Sequence, residues 1–98
     1  MRNLKIAVIG LGYVGLPLAR LFSTKYPTVG FDMKPERVNE LMAGHDSTME
    51  VADELLQEAI HKYSFICTTE LEKISDCNMY IVAVPTPVDE NNRPDLRP

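Results

Sequence analysis

The 98-residue sequence has no tryptophan, only 7% aromatic residues, two cysteines and two histidines. Each scarcity excludes something. Cys67 and Cys77 are too few and too irregularly spaced for a disulfide framework, so a reducing, cytoplasmic setting is expected. His45 and His61 have no metal-ligand spacing to one another or to either cysteine, so no metal site is expected. No run of lysine or arginine occurs, and the net charge is −4, which removes the basic footprint that a nucleic-acid backbone requires. The longest apolar stretch falls far short of the ~20 residues needed to span a bilayer. The start, Met1-Arg2-Asn3-Leu4-Lys5, runs through one apolar segment into a glycine loop with no cleavage-type site, so neither a signal peptide nor a membrane partner is expected.

The rest is ordinary for a small globular domain, 45% apolar and 24% charged. Residues 4–9 form a β-branched run of the kind found in a strand covered on both faces. Gly10-Leu11-Gly12-Tyr13-Val14-Gly15 follows, and a helix is expected to begin on it near Tyr13 or Val14, with Leu18, Leu21 and Phe22 at helical spacing. Pro17 then falls in the first turn, where its missing N–H has no intrahelical partner. Residues 28–32 read as a second strand. A helix led by Pro35 carries Val38, Leu41 and Met42 and stops at Gly44.

Ser47 and Glu50 have capping-box spacing, which predicts a helix over about 49–61 with Val51, Leu55, Leu56, Ala59 and Ile60 as its apolar set. A third strand over 64–68, a short helix over 70–75 and a fourth strand over 79–84 complete the pattern. The remaining stretch, 85–98, holds four of the seven prolines. Such alternation predicts an α/β fold of the Rossmann type. It is a doubly wound parallel sheet of order 3-2-1-4, the first half of such a fold plus one strand of the second. One unit, residues 1–98, is expected.

The glycine loop carries the chemistry. Gly10 permits the turn out of the strand, Gly12 lets a diphosphate approach the backbone, and Gly15 lets helix and strand pack closely. The N–H groups of Tyr13 and Val14 and the positive end of the helix dipole would face that diphosphate. Asp32 closes the second strand 22 positions after Gly10, the spacing of an acid that accepts hydrogen bonds from the adenosine ribose. A carboxylate there also repels a 2′-phosphate, so NAD is favoured over NADP. Lys34 or Arg37 could contact the adenosine end.

Residues 6–19 (Ile-Ala-Val-Ile-Gly-Leu-Gly-Tyr-Val-Gly-Leu-Pro-Leu-Ala) and 80–89 (Tyr-Ile-Val-Ala-Val-Pro-Thr-Pro-Val-Asp), followed by Pro94-Asp95-Leu96, together resemble the UDP-glucose/GDP-mannose dehydrogenase family. Within it the chain is most similar to the Vi-antigen type of UDP-N-acetylhexosamine 6-dehydrogenase of surface-polysaccharide synthesis, with which 44–51 and 68–70 also agree. The resemblance covers essentially the whole chain but only the N-terminal part of such enzymes.

It implies oxidation of a sugar C6 alcohol to a carboxylate, with two hydrides passed to two NAD molecules and the sugar intermediate held on a cysteine. By resemblance, Gly10, Gly12, Tyr13, Val14 and Gly15 form the diphosphate loop. Asp32 and Arg37 serve the adenosine ribose, and Val84, Pro85 and Thr86 border the nicotinamide half. The family's catalytic cysteine and lysine lie in later segments, so no catalytic residue is expected within 1–98, and Cys67 and Cys77 are read as packing residues. The partners implied are the nucleotide cofactor, a UDP-sugar bound by the whole enzyme, and further copies of the chain, since an apolar fourth strand at a sheet edge invites pairing. Two other readings share the glycine loop: a non-catalytic NAD-sensing module and a β-hydroxyacid dehydrogenase-type domain. Neither calls for the Pro-Thr-Pro segment or the Pro-Asp-Leu tail.

Overall fold

A computed structural model describes residues 4–83. Its elements run β1 (Ile6–Ile9), α1 (Gly15–Ser23), β2 (Thr28–Phe31), α2 (Pro35–Met42), α3 (Asp53–Lys62), β3 (Ile66–Thr68), a 3₁₀ turn (Leu71–Ile74) and β4 (Met79–Val82). The sheet order is β3-β2-β1-β4 with every pair parallel, as the alternation predicts. β1 is central: Ile6 stands opposite both Thr28 and Met79, and Ile9 opposite both Phe31 and Val82.

Topology sorts the core into two layers. The β1–β2 and β2–β3 crossovers step the same way along the sheet, so right-handedness puts their helices on one face. There Ile6 and Val8 meet Leu16 and Ala19 of α1, Leu41 of α2, Leu56 and Ala59 of α3, and Phe65. The β3-to-β4 link returns across the sheet on the other face, where Ala7, Val29 and Phe31 pack against Ile74 and Cys77. The period-2 alternation of β1 is therefore visible even though both faces are apolar. At the amino ends of the strands, the Lys5 ammonium pairs with Asp76 at 2.7 Å, and the Lys5 N–H donates to Asn78, tying β1 to β4.

The buried stripe of α1 differs from the expected one. Gly15, Leu16, Ala19 and Ser23 face the sheet, whereas Leu21 is exposed and Phe22 only partly buried. The helix carries apolar residues on two sides, and the side packed on the sheet is the one with Gly15, Leu16 and Ala19. The helix expected over 49–61 begins at Asp53, because the N–H groups of Glu50 and Val51 are taken by the Asp46 carboxylate. Met49 adopts φ 60° in that turn, so no Ser47–Glu50 capping box forms. β3 begins at Ile66, after Ser64 with φ 60°. β4 ends at Val82, one residue before Ala83, whose N–H still donates to the Ile9 carbonyl at 2.7 Å, and the expected last residue of the strand, Val84, lies outside the described residues.

Candidate functional site

A cleft of about 450 Å3 opens at the carboxyl ends of β1 and β2, the end where open parallel sheets bind ligands. Gly10, Gly12, Asp32 and Arg37 border it, joined by residues that the sequence did not assign to a site, notably Met33, Thr48 and Ser47, the last read there as a helix cap. A second hollow of about 460 Å3 lies at the opposite end of the strands beside Lys5, and none of the expected site residues borders it.

The glycine loop is built on backbone contacts. Gly10 turns out of β1 with φ +98°, a conformation that other residues adopt only under strain, while its N–H donates to the Phe31 carbonyl at 2.8 Å. A Cβ on Gly15 would lie 1.6 Å from the Gly10 carbonyl oxygen, so strand end and helix start touch where no side chain fits. A Cβ on Gly12 would meet nothing within 4 Å, because that position faces open space. Tyr13 and Val14 are exposed, and Val14 caps α1 with no side-chain cap bond and no acid in the first turn. In the first turn the Leu16 N–H donates to the Gly12 carbonyl at 3.2 Å and Pro17 has no N–H, while the N–H groups nearer the loop have no intrahelical acceptor.

Asp32 is fixed from both sides. One oxygen accepts from the Leu11 N–H at 2.9 Å and the other from the Lys34 N–H at 3.0 Å. One backbone donor on each oxygen leaves acceptor capacity directed at the cleft rim. Leu11 links this carboxylate to the core, since its side chain is wholly buried and lies against Gly30, where a Cβ would come within 2.9 Å of it.

Arg37 closes the other wall. Its Nε donates to the Leu11 carbonyl at 2.7 Å, and its Nη1 is shared between Asp46 at 2.9 Å and Glu40 at 3.2 Å. Nη2 is buried and has no partner among the described residues. Asp46 is the most heavily bonded side chain of the site. It accepts from Arg37, from the Thr48 hydroxyl at 2.6 Å, and from the N–H groups of Thr48, Glu50 and Val51 at 2.9 to 3.0 Å. Burial alone would push its carboxyl up, but the Thr48 hydroxyl, Arg37 and the backbone donors outweigh that and hold it down at about 2. Glu40 is lowered chiefly by its bonds from Ser47, with Arg37 adding to the effect. Spacing gave no hint of Asp46; the available signal was Asp-x-Thr after Gly44, the pattern of a carboxylate bonding its own turn.

The remaining candidates lie outside this chemistry. Val84, Pro85 and Thr86 fall outside the described residues. Cys67 sits in β3, and burial pushes its thiol up to about 12, as suits a packing residue. Cys77 is buried in the opposite core layer. His45 pairs with Asp53 at 3.0 Å on the surface. Among the described residues no cluster of metal-ligating side chains occurs, and no helix is long and apolar enough to cross a membrane.

Known proteins are similar to this chain in sequence and in fold. Residues 4–98 match the model of the UDP-glucose/GDP-mannose dehydrogenase family, NAD binding domain. The chain is 52% identical over its full length to a UDP-N-acetyl-D-glucosamine 6-dehydrogenase of Pseudomonas aeruginosa, and 49% identical over 98% of its length to one of Salmonella typhi. It spans 22% of either relative. Among solved structures it aligns with a UDP-D-ManNAc dehydrogenase from Pyrococcus horikoshii at TM-score 0.81 and 32% identity, covering 95% of this chain and 22% of that one. It also aligns with a GDP-mannose dehydrogenase from Pseudomonas aeruginosa, determined as a ternary complex, at 0.77 and 26%, covering 93% and 22%.

Proposed function

This chain belongs to the UDP-glucose/GDP-mannose dehydrogenase family, as its NAD-binding domain, and on that footing we propose that its cleft receives the adenosine and diphosphate half of NAD. The whole enzyme would be a nucleotide-sugar 6-dehydrogenase that oxidises the C6 alcohol of a UDP-sugar to the carboxylate with two NAD. The observation that carries the reading is the pairing of an open approach at Gly12 with a carboxylate fixed across the cleft at Asp32. Phosphates need backbone N–H groups without intervening side chains, and ribose hydroxyls need a held acceptor. Both are present, so the residues fit the cofactor.

In this reading Gly10, Gly12 and Gly15 shape the loop, and the N–H groups of Tyr13 and Val14 hold the diphosphate. Asp32 accepts from the ribose, with Arg37 beside it, and Val84, Pro85 and Thr86 border the nicotinamide side. Bound there, NAD supplies the hydride acceptor. The chain's own part is to bind and orient it. We assign no catalytic residue within 1–98: Cys67 is buried and its thiol is raised far above neutrality, which makes it a poor nucleophile. Supply of surface polysaccharide, a cytoplasmic setting and self-association belong to the same proposal. Among the described residues β4 pairs only with β1, and Tyr80 and Val82 are half-exposed or more, which favours association through that edge. A monomer by light scattering at high concentration would count against that last part.

Calorimetric titration of the chain with NAD, beside Asp32→Ala, tests the site. Saturable NAD binding that weakens about tenfold or more in the variant, the order expected for a hydrogen-bonded carboxylate, supports it. Equal binding by both proteins overturns the role of Asp32.

A further inference from the structure

An arginine near the ribose acid is the usual means by which a dinucleotide fold accommodates a 2′-phosphate. Arg37 borders this cleft together with Asp32, so a cation stands where such a phosphate would be received. Its charge, however, is already matched. Nη1 lies between the carboxylates of Asp46 and Glu40, and Nε is bonded to the Leu11 carbonyl of the glycine loop. The Arg37 side chain is 11% exposed and that of Asp46 wholly buried, so solvent screens their attraction little. Asp46 cannot swing aside, because four donors from Thr48, Glu50 and Val51 hold its two oxygens. Two carboxylates thus hold the one guanidinium, and of the charged side chains bordering the cleft beside it, Asp32 and Lys34 are opposite in sign.

We infer that Asp46, assisted by Glu40, is a specificity determinant of the cleft, acting through Arg37: it holds and neutralises the guanidinium, which then braces the glycine loop instead of receiving a 2′-phosphate. The inference rests on the NAD reading above. Asp46 is a positioning residue and does not itself touch the cofactor. It adds to the repulsion by Asp32, which alone would leave an adjacent arginine free to offset it.

The test compares the chain with Asp46→Asn and Glu40→Gln, measuring by calorimetry the affinities for ADP-ribose and for 2′-phospho-ADP-ribose. These probes need only the half of the site that the described cleft provides. Both substitutions keep side-chain size and remove one negative charge beside Arg37. The preference for the unphosphorylated probe is expected to shrink about tenfold in Asp46→Asn, the order for removing one charge a few ångströms from a phosphate at a partly screened site. It should shrink by a smaller factor in Glu40→Gln, whose side chain is more exposed. A purely structural brace would weaken both probes by the same factor and leave their ratio fixed, and that outcome overturns the inference. Should Asp46→Asn fail to fold, an unmoved ratio in Glu40→Gln is equally decisive. Wild-type chain that binds neither probe removes the cofactor reading and the inference together. Wild-type binding with fixed ratios in the variants removes the inference alone.

Discussion

Alanine at Gly12 and alanine at Gly15, two substitutions of one methyl group three residues apart, are expected to fail in opposite ways. At Gly15 the new Cβ would sit 1.6 Å from the Gly10 carbonyl oxygen and 2.8 Å from its carbon, where ordinary contact begins near 3.4 Å. Relief requires the end of β1 and the start of α1 to separate by about 1.8 Å, because both partners are backbone. That movement carries Leu16 and Ala19, both wholly buried, out of register with the sheet. Overpacking commonly costs about 1–3 kcal/mol, and with no flexible side chain to yield, the upper end or beyond is expected here. At ~4–8 °C per kcal/mol for a domain of this size, Gly15→Ala should melt roughly 12 °C or more below wild type.

Gly12 is the contrary case. Its φ is not in the left-handed region, and its Cβ meets nothing within 4 Å, so the melting point should stay within about 4 °C. The methyl group instead stands in the space through which a diphosphate would reach the backbone. NAD affinity should fall about tenfold or more, a change of ~1.4 kcal/mol. Scanning calorimetry and NAD titration of the two variants read both effects. Gly15→Ala melting at the wild-type temperature would refute the packing argument, and Gly12→Ala binding NAD as wild type does would refute the assignment of the loop.

Two further outcomes follow from the buried groups. Asp46 is held at about 2 in the fold against an ordinary 3.8, so its contribution is present above about pH 4 and lost as pH falls towards 2. At ~1.4 kcal/mol per pH unit it amounts to about 2 kcal/mol. Urea midpoints from pH 6 to pH 2.5 should therefore fall less steeply in Asp46→Ala than in wild type, and parallel slopes would contradict the assignment. Cys67, buried and raised to about 12, should resist alkylation by iodoacetamide at pH 7.5 in the folded chain and react once the chain is unfolded; rapid labelling of native protein would show the site to be open.

The sheet order was legible in the sequence because alternating elements with right-handed crossovers leave few arrangements for four strands. That Gly10, Gly12 and Asp32 come together at one cleft was legible because their spacing is local to one strand–helix–strand unit; Tyr13, Val14 and Gly15 do not line it. The α1 stripe was misread because the helix carries apolar residues on two faces, and spacing alone does not say which of them packs on the sheet. The start of α3 was misread because Ser47 and Glu50 match a cap by spacing, whereas the N–H groups in question are drawn to Asp46, an unmarked residue. The Arg37 contacts lay beyond any pattern: Leu11 and Asp46 approach the guanidinium from opposite sides in sequence, 26 and 9 positions away, and only the folded chain brings them together.

Leu11 has its side chain in the core, its N–H on Asp32 and its carbonyl on Arg37. A glycine-rich segment is ordinarily the loosest part of a chain, and a ligand that orders it forfeits much of its binding free energy in doing so. Here that ordering has already taken place during folding, because the segment cannot fray without pulling a leucine out of the hydrophobic interior. The segment proposed to receive the diphosphate is thus anchored at Leu11 to the interior of the domain. Protection of the Leu11 amide from hydrogen exchange should match that of the central strand, whether or not a cofactor is bound.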